Sequence, residues 1–266
     1  MKFTTKSASI LLAILASSTI GGTMVIAAEG DGAKALESTG TVEVKQATDT
    51  GGPSDKGDIE DPEKEGPVTP KDKDVIDQNK EKGPLKVEQV SKLNFGSIEP
   101  QAKDSVYYAD TVEMENGEER GALIQFADVR ADVYGYTLKV AMTEQFKNTE
   151  DKKLAGSTIV FNNGIMKPEA GNGNTPGTFA KESDIVIGED GEAQEVIKAT
   201  TDQGKGRYVL EFGQSADFEK VDGTVGTGTK DSAKEAVQLK IPNKTSSNMR
   251  TGKYTAKITW SLVTEP

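Results

Sequence analysis

Residues 254–262 read YTAKITWSL, and the spacing within this stretch decides the fold. Tyr254, Ala256, Ile258, Trp260 and Leu262 alternate with Thr255, Lys257, Thr259 and Ser261, which places every second side chain on one face of an extended strand. A helix would instead need apolar residues three and four apart. The stretch also carries the only Trp of the chain, in the pattern W-x-L.

The same alternation recurs upstream. In LKVEQVSKLNF (85–95) Leu85, Val87, Leu93 and Phe95 share a side; in YGYTLKVAM (134–142) it is Tyr134, Tyr136, Leu138, Val140 and Met142; in VQLKI (237–241) it is Val237, Leu239 and Ile241. Further strands are expected at Val106–Glu113, Ala122–Asp128, Ser157–Phe161, Asp184–Ile187, Glu195–Ala199 and Arg207–Phe212. Between them lie turn formers such as Asn162-Asn163-Gly164, Glu189-Asp190-Gly191 and the long PEAGNGNTPGT loop. About ten strands without a long amphipathic helix predict an all-β domain over 85–266, a single antiparallel β-sandwich or barrel-like unit.

Ahead of it the composition changes. Residues 48–84 are rich in Pro, Gly, Lys and acids, with little apolar mass to offset ordering entropy, and read as a disordered acidic linker. Their acids lack the D-x-D-x-D-G spacing of a calcium loop, so no metal site is expected. Residues 29–47 contain STGTVEVKQ, in which Val42 and Val44 alternate like a short strand, expected to pair with an edge of the main domain. Residues 1–28 combine Lys2 and Lys6, an apolar core and small residues at Val25 and Ala27, the pattern of a cleaved secretory signal peptide. No apolar run follows Trp260, so neither a C-terminal membrane stop nor a sortase-type signal is expected.

The formal charge is −11, and −13 once Lys2 and Lys6 leave with the expected signal; residues 29–84 carry 15 acids and 8 bases, net −7, against net −6 over the far longer 85–266. Nucleic acid is an unsuited partner for such a chain. The absence of Cys leaves burial and hydrogen bonds to hold an exported fold, and the absence of His removes Ser-His-Asp and Cys-His catalysis and His-based zinc sites. Two carboxylates could in principle cleave glycans, but no acid stands in a context that predicts a raised pKa, so no catalytic residue and no cofactor are expected.

W-x-L at the end of a strand, preceded by VQLKIP and TGKYTA, resembles the closing signature of the WxL domain of Gram-positive surface proteins. The resemblance extends to GPLKVEQVSKLNFGS at the start, FADVRADVYGYTLKV in the middle and LAGSTIVFNNG after it, covering residues 83–266. Where that family commonly has a Trp in its internal motif, this chain has Tyr136-Thr137-Leu138, which keeps an aromatic face with less area. The resemblance implies non-covalent attachment to peptidoglycan at the wall, within a multiprotein surface complex. It also implies a membrane-anchored WxL-interacting protein, and other WxL proteins, as partners. The alternatives are an adaptor subunit that binds such a partner through a sheet edge, and a host-directed adhesin, with no direct wall binding.

Trp260, Leu262, Tyr136 and Leu138 admit two readings, core positions or a solvent-facing sugar platform, and the alternation favours the core. Lys240, Lys253 and Lys257 occupy outward positions in a segment with one acid, Glu235, and are candidates to meet anionic polymers or to protect a sheet edge from aggregation. Asp128 and Arg130, two apart, are placed for a forked ion pair.

Overall fold

The computed structural model describes residues 38–51, 58–131 and 135–264. The expected signal peptide at 1–28 and Tyr134 lie outside them. Three antiparallel sheets hold most of the chain. The largest has six strands, side by side in the order β16 (Val225–Gly226), β11 (Gly164–Pro168), β15 (Gly206–Phe212), β8 (Ala122–Asp128), β4 (Leu85–Ser91) and β3 (Ile76–Gln78). A second has the order β12 (Thr178–Phe179), β14 (Gln194–Ala199), β9 (Tyr136–Lys147) and β18 (Thr255–Thr264). The third runs β13 (Ile185–Ile187), β10 (Thr158–Phe161), β17 (Val237–Ile241) and β5 (Ser105–Tyr108). Two ribbons, β1 (Ile59–Glu60) with β2 (Pro67–Val68) and β6 (Val112–Glu113) with β7 (Glu119–Arg120), complete the strands among the described residues. The fold is all-β as the alternation predicts; the larger strand number comes from short two- and three-residue strands too brief to show a period.

One apolar core joins the three sheets. Ile124, Phe126, Tyr208, Leu210 and Phe212 enter it from the six-stranded sheet, Tyr136, Leu138, Val140 and Ile197 from the second, and Ile159, Phe161 and Leu239 from the third. Burial on this scale, at roughly 25 cal/mol per Å² of apolar surface, is what holds a chain with no disulfide.

The opposite face of the six-stranded sheet is also covered, which corrects the reading of residues 48–84 as a disordered linker. Residues 58–84 lie across that face as a strap, and Ile59, Val68 and Ile76 from it meet Val112, Met114, Leu123 and Val209 in a second, smaller core. The composition argument fails here because a strap needs only a few apolar side chains when its polar groups find buried partners. Glu60 N–H donates to Gln125 Oε1 at 3.0 Å, and Gln89 Nε2 donates to the carbonyl of Asp58 at 2.9 Å. Arg207 bridges Glu88, 2.7 Å from its Nε, to the carbonyl of Thr50, 3.2 Å from its Nη2. This double cover explains why β8 is buried at all seven of its positions. By contrast, the short strand expected around Val42 and Val44 is not formed: both are exposed, at 90% and 80%.

At the centre of the strap Arg120, wholly buried, sits among four carboxylates. Its Nη2 lies 3.0 Å from Asp61 and 2.7 Å from Glu118, and its Nη1 lies 2.8 Å from Glu63 and 3.9 Å from Glu211. Lys64 pairs with Glu118 at the edge of this cluster. Partial burial pushes the Glu118 carboxyl up, but Lys64 and Arg120 outweigh it and hold the group down at about 2. Glu211 goes the other way: complete burial raises it well above its ordinary 4.5, Glu63 adds to the rise and Arg120 opposes it.

Opposite signs of pH dependence follow. Glu118 is depressed, so its contribution is present above 4.5 and is lost as pH falls toward about 2. Glu211 is raised, so its contribution is present below 4.5 and is lost as pH climbs through the raised value. Glu211→Gln keeps the shape of the neutral acid. It should flatten the fall in urea midpoint on the alkaline side of 4.5 while leaving the acid limb unchanged. An alkaline limb of the same slope in the variant would assign the loss to another group.

Candidate functional site

The outermost strand of the second sheet, β18, pairs with β9 alone. Their register sets Trp260 opposite Val140, Leu262 opposite Leu138 and Thr264 opposite Tyr136, so the terminal W-x-L and the internal Tyr136-x-Leu138 lie on neighbouring strands. The register shifts between Thr255 and Ile258, bending this end of the strand.

The two motifs differ in exposure. Tyr136 and Leu138 are completely buried, and Tyr136 sets its ring edge-on to Phe126 at 6.0 Å and donates its hydroxyl to the carbonyl of Gly204 at 3.2 Å. Neither offers surface to a ligand. Trp260 and Leu262 are half-buried. The indole packs edge-on against Phe161 at 5.7 Å and tilted against Phe212 at 6.2 Å. The rest of it lines a groove.

That groove lies between β18 and the β3–β4 side of the six-stranded sheet. Its larger part, about 590 Å³, has core side chains in its lining, Ile124, Phe146 and Phe161, beside Ile258 and Trp260. A second cleft of about 280 Å³ shares Asp77, Val90, Ile258 and Trp260 with the first and extends along β4 to Val87. The strap helps to build this site, because Asp77 belongs to β3. Lys92, Lys253 and Lys257 line the larger cleft, and Asp77 is the only acid there. Lys92 lies 3.3 Å from Asp77, and Lys257 lies 3.8 Å from Glu144 on β9. Cations around an apolar and aromatic interior suit a ligand with apolar faces and carboxylate or phosphate groups.

Of the three outward lysines, Lys253 and Lys257 therefore meet at the groove and Lys240 does not. Lys240 is exposed on β17, opposite Val106 and Thr158 in the third sheet. Asp128 and Arg130 form a forked pair, with Arg130 Nε 2.9 Å from Oδ1 and Nη2 2.7 Å from Oδ2. This pair lies at the end of β8 and has no place in the groove lining. Lys92 and Asp77 are site residues that sequence reasoning did not single out, and nothing in their local sequence marks them. Among the described residues no group of three or more acidic side chains is arranged to hold a metal ion, and no helix is long and apolar enough to cross a membrane.

The model of a family described as WxL domain surface cell wall-binding matches residues 31–266. No curated protein and no solved structure matches the chain.

Proposed function

The chain belongs to the WxL family of surface cell wall-binding domains, and from that membership we propose that it holds itself non-covalently on the wall of a Gram-positive bacterium through the groove beside Trp260. Peptidoglycan is the wall polymer it engages, after export by the leader at 1–28, and it does so within a multiprotein surface complex. The observation that carries this reading is the position of the W-x-L strand. Trp260 is not sealed in the core but half-buried, packed against it on one side and lining a groove with lysines around it on the other. A wall chain with amino sugars, short peptides and carboxylates offers an apolar ring face to the indole and anions to Lys92, Lys253 and Lys257. The role is binding without catalysis.

Purified protein should pellet with peptidoglycan stripped of protein and secondary polymers, at low and at high salt. Trp260→Ala should reduce retention about tenfold or more, the loss expected for an aromatic anchor in a pocket. Lys253→Glu with Lys257→Glu should weaken retention chiefly at low salt, where charge is least screened. Retention of the Trp260 variant equal to that of the parent would remove the groove from the site.

A second reading is favoured by the free edge of β18. In it the chain is an adaptor that captures a membrane-anchored WxL-interacting protein by adding a strand to that edge. Binding only to unstripped envelope material, lost when the partner protein is removed, would select it. A host-directed adhesin is a further alternative, tested by binding to host matrix with no dependence on wall.

A further inference from the structure

An edge strand beside an open groove is a place for one more strand. The ten-residue β18 presents one edge with no strand partner among the described residues, over a groove in which the core side chains Ile124, Phe146 and Phe161 are reached from outside. The chain also carries a segment with the pattern of a donor. Thr41-Val42-Glu43-Val44-Lys45 alternates, forms no strand of its own, and leaves Val42 and Val44 at 90% and 80% exposure, the most exposed large hydrophobic residues described.

We infer that residues 41–45 of one copy add to the β18 edge of a second copy, so that copies of the chain associate by strand exchange. Val42 and Val44, two apart, fall on one face and enter the groove beside Ile258 and Trp260. Glu43 falls on the other face of the added strand, within reach of Lys257, whose exposed side chain stands at the rim of the groove. Lys257 has a loose companion there at present, Glu144 at 3.8 Å with both side chains largely exposed, so a second carboxylate is accommodated. If each copy donates and receives, the contact is two-fold and closed, the usual result of exchanging an identical element. This inference deepens the reading of the groove as the attachment site, since a groove filled by a second copy is closed to a wall ligand.

The test uses the whole chain from Glu29 onward, in light scattering across a hundredfold range of concentration. The parent should shift from monomer to dimer mass as concentration rises, and Val42→Asp with Val44→Asp should remain monomeric. Trp260 is the only Trp, so its emission reports on the groove directly. Adding a synthetic peptide of residues 38–46 to the monomeric double variant should shift that emission in a saturable way, and a scrambled peptide should not. A parent that is monomeric throughout, a double variant with the parent's mass profile, or an emission blind to the peptide would each overturn the inference. The wall pull-down separates the two ideas. Retention that depends on Trp260 in a strictly monomeric protein leaves the wall reading standing alone, whereas strand exchange without Trp260-dependent retention leaves only the contact between copies.

Discussion

Arg120→Ala should destabilise the protein by about 3–5 kcal/mol, measured as a fall in the midpoint and free energy of urea unfolding at neutral pH. The magnitude does not come from the strength of four ion pairs, because taking the guanidinium out of water offsets most of their attraction. It comes from what the substitution leaves behind. Asp61 and Glu63, on the strap, and Glu118, beside β7, would face one another and Glu211 in a buried space, with Lys64, paired to Glu118, and Lys167, bonded to the Asp61 carbonyl, as the cations left nearby. Arg120→Met, which fills the space without the charge, should lose less if Glu211 and a neighbour take up protons, and its deficit should shrink toward pH 4. A deficit under about 1 kcal/mol in the Ala variant would mean that the strap is not held by this cluster.

Tyr136→Ala should cost about 3–5 kcal/mol, the range for emptying a fully buried aromatic position. Tyr136→Phe removes only the hydroxyl's bond to Gly204 and should cost about 1 kcal/mol. Tyr136→Trp separates packing from motif identity. Gly204 has φ of +79°, and a Cβ placed on it would come within 2.6 Å of the Tyr136 hydroxyl oxygen, so this glycine's missing side chain is the room in which the phenol sits. An indole is broader than that room and should lose about 1–3 kcal/mol to overpacking. None of the three should alter retention on peptidoglycan at temperatures where the variant is folded, because Tyr136 has no exposed surface. A retention defect in folded Tyr136→Phe would tie this position to the ligand.

The strands that carry the core were legible because one side of each alternates into a single apolar interior. Ala122–Asp128 and Val237–Ile241 fall where the period places them, and the strand through Trp260 runs from Thr255 to Thr264. The strap was not legible, for a reason visible in the same strands. Gln125, Arg207 and Glu211 occupy outward positions and read as solvent-facing, whereas the structure meets them with Glu60, Glu88 and Arg120 from other segments. Polar residues in a linker and polar residues on a sheet are each unremarkable. That they satisfy one another is a fact of three dimensions. The site divided in the same way: the W-x-L strand could be found by its motif, but Lys92 and Asp77 enter the groove through a tertiary approach of two sheets.

The strap also fixes an order of folding. Glu63 accepts from the Ser215 amide 152 positions later in the chain, and Thr50 is held by Arg207 at a separation of 157. The sheet that bears the groove is likewise closed by β18, whose Thr259 hydroxyl bonds that of Thr143 across 116 positions. Contacts of such separation form late and slowly, since the loops they close cost entropy before any packing is gained. A chain emerging from its N-terminus therefore stays open until its last strand has arrived, and an N-terminal fragment ending before Gly206 lacks the Val209, Glu211 and Ser215 part of the strap's seat and has no β18 edge at which to bind.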